Sequence, residues 1–240
     1  MQTNMCTHET INSSDDKESV LRRYEQPVVQ ALAATCAAHP LSKNWFDRCL
    51  DARQQNASNI FPTTMNDLED YAEHSHSSIL YLTLEAAGMA GDENVSYMAS
   101  HIGVSSGISR LLRGFVFHAT KREVYIPQDV LSKHNLSYKT IFAGPPSTDG
   151  EKKALKDCIF DVASQGFGHL DRARAIHEKD GSTMPSGHMR TIGVAAAAPS
   201  VHFQQLRAAD FDPFHPSALE PRSYLTYQIA LLKTLLFRRL

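Results

Sequence analysis

Two sets of residues in this sequence have types and spacings that could support catalysis. The first is the segment GVSSG at 103–107, which matches the G-x-S-x-G pattern of serine hydrolases. In those enzymes the serine lies on a strained turn between a strand and a helix, where its hydroxyl is exposed. Here the preceding residues continue a helical pattern, so we expect a helix crossing through small residues instead of a nucleophilic Ser105.

The second set is a pair of aspartates, Asp157 and Asp161. Four residues apart on a helix, they share a face, and two such carboxylates can hold Mg²⁺ against a diphosphate. A solvated acidic face has the same spacing without any function. Because lysines crowd the segment 152–156, we favour a mixed-charge surface. The same interpretation applies to Asp67 and Asp70.

Other kinds of metal ligand are not grouped in the sequence. The 4 cysteines are far apart and form no C-x-x-C pair, and the 12 histidines are scattered. His74 and His76 are two residues apart, which splays them around a helix. We therefore expect no metal site, no disulfide framework and no cofactor.

Length and charge restrict the fold and the partners. With 240 residues the chain suits one core, and we expect a single domain over 21–240 after a disordered polar tail at 1–20. The formal net charge of -2 argues against nucleic acid as a partner. No window has the roughly 18 apolar residues of a membrane span. The N-terminus resembles neither a secretory signal nor a mitochondrial presequence.

Helical periodicity runs along the chain after the tail, and no segment alternates with period two for long enough to form a sheet. The predicted class is all-α, a bundle of about seven helices. The helices are predicted at about 20–39, 45–55, 64–88, 100–118, 128–134, 154–178 and 223–240. Ser42 and Thr64 are predicted N-caps, and Leu50 and Ile79 are among the residues expected to face the core. The segment 181–200 is small and turn-rich.

The helix at 100–118 carries two stripes at the three-to-four spacing of an α-helix. The first is apolar and should face the core: Val104, Ile108, Leu111, Leu112 and Phe115. The second consists of Gly107, Arg110, Gly114 and His118. A basic turn and a Tyr-x-Pro sequence follow the helix. Whether the chain has an active site depends on the residues of the second stripe, because the first stripe is expected to be buried in the core.

The terminal helix, SYLTYQIALLKTLLFRRL, is apolar and carries Lys233, Arg238 and Arg239 near its end. Such a helix could lie in a membrane interface with its apolar face down. It could also close the core of the bundle, which is the placement we favour.

The segment 102–131 resembles, without a gap, the second signature of the squalene and phytoene synthase family. In that family a helix of the form Leu-Gly-x-x-x-Gln-x-x-Asn-x-x-Arg-Asp-x-x-x-Asp precedes a basic turn, an Arg-x-Tyr-x-Pro and a Gln-Asp-x-Leu. The residues kept here are Gly103, Leu112, Arg113, Lys121, Arg122, Tyr125, Pro127, Gln128, Asp129 and Leu131. The resemblance implies an isoprenoid-synthase-like helical bundle.

The resemblance also implies that the chemistry has been lost. Enzymes of this family condense two allylic diphosphates and hold Mg²⁺ with two facing aspartate pairs. The second pair falls on Gly114 and His118, and the family's glutamine and asparagine fall on Gly107 and Arg110. Glycine has no ligand atom, and imidazole suits a hard, oxygen-seeking ion poorly. Nothing before Asp47 offers the apolar helix of the first pair, so we expect an N-terminally shortened bundle that is not an enzyme.

Further stretches narrow the likeness to a non-catalytic mitochondrial branch of the family. They include SSILYLTLE at 77–85 and FDPFHPS at 211–217. The likeness implies a role in the assembly of respiratory complex I, with complex I subunits or other assembly factors as partners. It also implies a mitochondrial location on the matrix side of the inner membrane, with peripheral contact to that membrane.

Two alternatives stay open. A residual prenyl-diphosphate transferase would need Asp157 and Asp161 as a relocated metal site that faces a central cavity. A protein could also bind a phosphorylated or prenylated lipid without converting it, since cations and donors suffice to hold a phosphate. The residues available for such binding are Arg113, Lys121, Arg122 and Tyr125. We favour a structural interpretation over this second alternative: Arg113 is expected to pair with a carboxylate in the bundle, and the basic turn at Lys121 and Arg122 is expected to be solvated.

Overall fold

The structure, a computed structural model, describes residues 26–58, 61–180, 186–219 and 224–237. Within these ranges every regular element is helical, which confirms the predicted all-α class. The elements are α1 (Pro27–Ala38), α2 (Lys43–Ala57), α3 (Met65–Ala72), a π-helical segment (Glu73–Ser77), α4 (Ser78–Ala86), α5 (Glu93–Arg113), α6 (Phe115–Thr120), α7 (Gln128–Lys133), α8 (Tyr138–Phe142), α9 (Asp149–Asp180), α10 (Ser186–Ala208), α11 (Pro216–Leu219) and α12 (Tyr224–Phe237). The predicted disordered tail at 1–20 lies outside the described residues.

Helix α5 is the centre of the bundle. Asp92 caps its start, because the carboxylate Oδ1 accepts a hydrogen bond from the Val95 amide at 3.2 Å. Twelve of the 21 residues of α5 are buried, and the helix packs against α3, the π-helical segment, α4, α9 and α10. All five residues of the predicted apolar stripe are buried, so this part of the prediction is confirmed.

Two glycines let the neighbours of α5 approach closely. A Cβ on Gly103 would lie 2.5 Å from the Ser77 Cα, and a Cβ on Gly107 would lie 2.6 Å from the Ala72 Cβ. A larger residue at either position would therefore push the π-helical segment or α3 away from α5. The segment GVSSG is a helix crossing through small residues, as predicted.

The predicted helix at 64–88 consists of three consecutive elements. Its start is as predicted, since Thr64 Oγ1 accepts the Asp67 amide at 3.2 Å and Asp67 Oδ2 accepts the Thr64 amide at 2.8 Å. The π-helical segment then interrupts the α-helical hydrogen bonds, and the Ser75 hydroxyl donates to the Tyr71 carbonyl at 2.6 Å. The chain leaves α4 through Gly88, whose φ of +68° favours glycine.

The orientation of α2 and α4 differs from the prediction. Leu50 and Ile79 were expected to face the core, but their side chains are 66% and 48% exposed. At this junction the Ser42 hydroxyl donates to Glu85 Oε1 at 2.5 Å, and Trp45 Nε1 donates to the same oxygen at 3.0 Å. These polar contacts help to set the rotation of α2 about its axis. The spacing of apolar residues along the sequence could not predict this rotation. Ser42 precedes α2 as predicted, yet its side chain makes no capping hydrogen bond.

One helix was not predicted from the sequence, and another is longer than predicted. The region read as turn-rich contains α10 from Ser186 onward, because its alanines are strong helix formers and outweigh the single Pro199 inside the helix. Residues 181–185 lie outside the described ranges. Helix α9 begins at Asp149, before the predicted start, since Thr148 and Glu151 form a second capping box with hydrogen bonds of 3.2 and 3.3 Å.

Candidate functional site

The second stripe of α5 does not line an open cavity. Gly107 faces the π-helical segment, where an added Cβ would lie 3.1 Å from His76 Nδ1. Gly114 lies directly after α5, and His118 folds back onto it, so that a Cβ on Gly114 would lie 2.6 Å from His118 Nε2. Arg110 is exposed. The four positions therefore do not share one environment. Gly107 lies in a helix contact, His118 packs on the backbone of Gly114, and Arg110 lies at the surface.

His118 is held in place by residues of the segment that follows α6. Its Nδ1 lies 3.0 Å from Glu123 Oε2, and its carbonyl accepts the Glu123 amide at 3.0 Å. The ring centre lies 4.8 Å from that of Tyr125, in an edge-to-face arrangement. One ring nitrogen thus bonds a carboxylate, while the ring itself takes part in packing.

A small cavity borders this histidine. Its lining consists of His118, Glu123, Tyr125 and Ile126 together with apolar side chains of α3, α5, α6 and α9. Its volume of about 10 Å³ leaves room for about one water molecule. Sites for small organic ligands usually have volumes of roughly 300 to 1,000 Å³. Side chains therefore fill the space beside the second stripe.

The residues at the family's second aspartate pair do not fit Mg²⁺. This ion takes oxygen ligands in near-octahedral geometry. Gly114 provides no side-chain ligand, His118 provides a nitrogen, and Arg110 adds a positive charge to the same stripe. Within the described ranges, no group of three or more His, Cys, Asp or Glu side chains is arranged to hold a metal ion.

The four candidate phosphate-binding residues do not form one cluster. Tyr125 is buried, and its hydroxyl donates to Asn56 Oδ1 at 2.7 Å. Burial raises the pKa of Tyr125. Arg113, Lys121 and Arg122 are exposed. Among the described residues none of these three cations takes part in an ion pair, so the expected carboxylate partner of Arg113 is not found there.

Asp157 is exposed on α9, whereas Asp161 is partly buried and lines an open surface groove of about 420 Å³ between α3, α7 and α9. Lys153 Nζ is 2.7 Å from Asp157 Oδ2, and both side chains are exposed. Asp161 Oδ2 accepts a hydrogen bond from Lys133 Nζ at 2.6 Å and lies 2.8 Å from His134 Nε2. Burial raises the pKa of Asp161, but these two hydrogen bonds outweigh it and the pKa is lowered. The predicted mixed-charge surface is confirmed.

The remaining sequence patterns are structural. Ser105 is fully buried inside α5, and its hydroxyl has no hydrogen-bond partner in the described part of the chain. A serine nucleophile needs a neighbouring base and access for a substrate. Asp67 caps α3, and hydrogen bonds from Thr64 lower its pKa. Asp70 is exposed.

A partly buried polar network, which was not predicted from the sequence, joins α3, α5 and α9. His169 Nε2 lies 3.1 Å from Glu69 Oε1, and His169 Nδ1 lies 3.0 Å from His101 Nδ1. Gln165 also donates to Glu69. Burial, with His169 nearby, lowers the pKa of His101. The two facing nitrogens must share one proton, so this network ties three helices together. Its signal in the sequence was polar residues beside predicted core positions, as Glu69 stands beside Leu68.

Two further buried histidines flank α5. Burial lowers the pKa of His76 to about 4, and two nearby arginines add to the effect. Burial, followed by the charge of Arg113, lowers the pKa of His202 to about 4. His202 Nδ1 lies 2.9 Å from Ser109 Oγ. Both histidines are therefore neutral at pH 7 and belong to the packing around α5.

The profile of the squalene/phytoene synthase family matches residues 6–226. The chain belongs to this family. The resemblance read from the second signature is thereby confirmed. In this member of the squalene/phytoene synthase family, the segment predicted to be the second signature begins in the central helix α5 and continues through α6 into α7.

Two similar proteins carry the names of assembly factors. The chain is 32% identical over 200 residues to NADH dehydrogenase (ubiquinone) complex I, assembly factor 6, of Rattus norvegicus, with 83% of this chain and 57% of that protein covered. It is 33% identical over 192 residues to the assembly factor 6 homolog of Dictyostelium discoideum, with 80% and 51% covered. The chain thus spans little more than half the length of these relatives.

A solved structure of the family has the same fold. The squalene synthase HpnC from Alicyclobacillus acidocaldarius superimposes with a TM-score of 0.67 at 20% identity, covering 83% of this chain and 74% of that chain. At this identity the likeness shows the fold alone. The predicted isoprenoid-synthase-like bundle is confirmed.

Proposed function

We propose that the protein is a non-catalytic assembly factor for mitochondrial respiratory complex I, built on a degenerate prenyl-synthase bundle. The observation that carries the proposal is the pairing of two findings. Relatives that are 32% and 33% identical carry the name of complex I assembly factor 6 or its homolog. In this chain the resemblance to the second signature puts Gly114 and His118 at the positions where the enzymes of the family hold Mg²⁺.

The packing around α5 supports a role in binding instead of catalysis. The space beside the second stripe has room for about one water molecule, since its volume is about 10 Å³. A substrate of two prenyl chains would have to displace the core side chains that line it. A bundle of this kind can still present its outer helices to another protein.

The partners and the location follow from the same proposal. The protein would contact complex I subunits or other assembly factors, and it would act in the mitochondrion on the matrix side of the inner membrane. Nucleic acid is not a proposed partner, since the formal net charge is -2.

Deletion of the gene, followed by separation of the respiratory complexes on a native gel, tests this proposal. We expect assembled complex I to fall strongly while complexes III and V stay at their normal levels, and re-expression of the chain should restore complex I. Normal complex I after a complete deletion would overturn the proposal.

A second candidate function is the holding of a phosphorylated lipid without conversion. It is favoured by one observation, the exposure of Arg113, Lys121 and Arg122 without an ion pair among the described residues. Titration of the purified protein with farnesyl diphosphate tests it. Binding should weaken about tenfold in Arg113→Ala, which removes one charge-assisted contact. The same change at exposed Arg207 should leave binding unaltered, and a parent protein that binds nothing would end this candidate.

A residual prenyl-diphosphate transferase is the less supported alternative. It requires Asp157 and Asp161 to face one central cavity, but Asp157 is exposed and paired with Lys153, and Asp161 is paired with Lys133 at an open groove whose lining does not include Asp157. Incubation of the purified protein with Mg²⁺ and farnesyl or geranylgeranyl diphosphate should yield no condensed product. A product that disappears in Asp157→Asn would reinstate the enzyme.

A further inference from the structure

Two histidines face each other where α9 packs along α5. The Nδ1 atoms of His101 and His169 lie 3.0 Å apart, and the two ring centres lie 5.1 Å apart. On the other side of its ring, His169 Nε2 lies 3.1 Å from Glu69 Oε1 of α3. His169 is only 8% exposed, and His101 is partly buried. We call these three side chains the histidine latch, because together they join α3, α5 and α9.

The hydrogen bonds of the latch determine where its protons lie at neutral pH. The carboxylate of Glu69 can only accept a hydrogen bond, so His169 Nε2 must carry a proton. A neutral His169 then has no proton on Nδ1, and His101 must donate to that atom from its own Nδ1. The two rings therefore hold one proton each, His169 on Nε2 and His101 on Nδ1.

The latch can take up one further proton without losing a hydrogen bond. The proton on His101 Nδ1 passes to His169 Nδ1, and solvent supplies a proton to His101 Nε2. His169 is then a cation that pairs with Glu69 at one nitrogen and donates to neutral His101 from the other. The contact between the two rings is kept, and only the direction of its hydrogen bond is reversed.

A second added proton does not fit this arrangement. Both rings would carry N–H groups on the two facing nitrogens, which lie 3.0 Å apart with no acceptor between them. The surrounding charges act in the same direction. Glu69 of α3 and Glu73 of the π-helical segment place two negative charges near His101, and Arg172 of α9 places one positive charge there. One added proton brings this cluster to neutrality, and a second makes it positive.

Glu73 is held by other partners. Its Oε1 accepts a hydrogen bond from the Tyr81 hydroxyl of α4 at 2.8 Å, and its Oε2 accepts one from the Ser100 hydroxyl at 3.0 Å. These two bonds hold the carboxylate in place. Burial, followed by the charges of His169 and Arg172, lowers the pKa of His101. His101 therefore resists protonation while α5 and α9 remain in contact.

We propose that the histidine latch is a pH-sensitive switch between α5 and α9, which stays closed with one added proton and opens with the second. Opening separates the two rings and loosens the part of α9 around His169 from α5. His101 takes up a proton near its ordinary pKa of 6.5 once the latch is open, and only at lower pH while it is closed. The closed latch is therefore most stable above pH 6.5 and weakens as the pH falls below it. The proposal follows from the geometry of the latch and does not rest on the proposed function.

Nuclear magnetic resonance of the histidine ring nitrogens tests the proton positions in the parent chain. At neutral pH we expect a proton on Nδ1 of His101 and on Nε2 of His169. As the pH falls, His101 should change to the Nε2-protonated form in the same step in which His169 becomes doubly protonated. Two rings that titrate separately, without a change of tautomer in His101, would overturn the proposal. This measurement needs no variant to fold.

Amide hydrogen exchange, followed by mass spectrometry of peptides from α9 around His169, tests the opening. The change of exchange with pH is compared between the parent and His101→Gln. This comparison removes the intrinsic effect of pH on exchange and the contributions of His76 and His202, which both chains keep. Below pH 6.5 the opening of the parent should rise by up to about tenfold per pH unit relative to the variant, because opening lets His101 bind one proton.

The matched control is His134→Gln. His134 Nε2 lies 2.8 Å from Asp161 Oδ2 of α9, so this change removes a histidine–carboxylate contact to the same helix that involves no second histidine. The control should keep the pH dependence of the parent in the peptides around His169. The same pH dependence in the parent and in His101→Gln would overturn the proposal. A loss of that dependence in both variants would also overturn it, because the effect would not be specific to the latch.

Discussion

The two faces of α5 have changed in different ways while remaining on one helix. The face toward α9 and α10 keeps large apolar side chains such as Ile108, which is completely buried. The face toward α3 and the π-helical segment carries Gly107, and it is followed by Gly114 and His118. The resemblance to the second signature predicts that these three residues replace a glutamine and two aspartates. The first face holds the bundle together, and the second offers no carboxylate oxygen for Mg²⁺ at positions 107, 114 and 118.

This difference shows that the fold and the chemistry of the family depend on separate residues. Packing needs volume and shape at the apolar positions, whatever the function. Mg²⁺ binding needs oxygen atoms in a fixed arrangement, and one glycine removes such an atom without any cost to the core. A chain can therefore keep the bundle after the metal clamp is gone.

The largest expected effect concerns the packed face. Ile108→Ala should lower the free energy of unfolding by about 4 kcal/mol, because it leaves a cavity between α5 and α9 that the helices fill only in part. Chemical denaturation of the purified protein measures this change. Ile79→Ala removes the same atoms from a side chain that is 48% exposed, and it should cost less than about 1 kcal/mol. Equal losses at the two positions would contradict the assignment of α5 as the central helix.

The second prediction concerns pH and His202, which contacts Ser109 on the packed side of α5. Burial holds the pKa of His202 at about 4, below the unfolded value of 6.5. As pH falls, the unfolded chain takes up the proton first, so stability is complete above pH 6.5 and is lost between 6.5 and about 4. The loss from this group should be about 3 kcal/mol. His76 adds a loss of the same sign.

Urea denaturation at a series of pH values measures this dependence. His202→Gln should give a shallower decline between pH 6.5 and 4 than the parent, whatever its stability at pH 7. The same replacement at exposed His39 serves as the control and should keep the slope of the parent. An unchanged slope in His202→Gln would show that the buried histidine does not resist protonation.

The third prediction concerns the face of α5 that carries Gly107 and packs against α3 and the π-helical segment. Gly107→Gln restores the residue of the family's signature, but its Cβ would lie 2.6 Å from the Ala72 Cβ. We expect a loss of about 2 kcal/mol from overpacking. Gly168 of α9 has nothing within 4 Å of an added Cβ, so Gly168→Gln should be neutral or stabilise the helix by about 0.5 kcal/mol. Thermal unfolding distinguishes the two variants, and a stable Gly107→Gln would mean that this face still has room for a site.

The smallest expected effect concerns the surface of α9. Asp161→Asn removes the partly exposed ion pair with Lys133 and should cost about 1 kcal/mol or less. Asp157→Asn, whose pair with Lys153 is exposed, should have no measurable effect on stability. A loss of several kcal/mol in either variant, measured by urea denaturation, would indicate a role inside the bundle and not on its surface.

The sequence was informative where a local pattern determines the structure. The spacing of the apolar stripe in α5 predicted its buried face, and the pair Thr64 and Asp67 predicted the capping box of α3. The prediction that a metal ligand is replaced at position 114 also rests on residue type alone, because glycine has no side-chain ligand atom in any fold.

Features that depend on contacts between distant residues could not be predicted. The rotation of α2, which exposes Leu50, involves hydrogen bonds to Glu85 from Ser42 and Trp45, which lie 43 and 40 positions earlier in the chain. The fold of His118 back onto Gly114 depends on Glu123, and the network around His169 joins three helices. Periodicity describes one helix at a time, so it contains no information on such contacts.

The most direct test of the whole account is the level of complex I, on a native gel, in deletion cells that express the Asp157→Asn/Asp161→Asn double variant. The account predicts as much assembled complex I as the parent chain restores, because the role requires the bundle and no carboxylate chemistry on α9. If complex I remained absent while the double variant was present in the amount of the parent, the non-catalytic account would be contradicted.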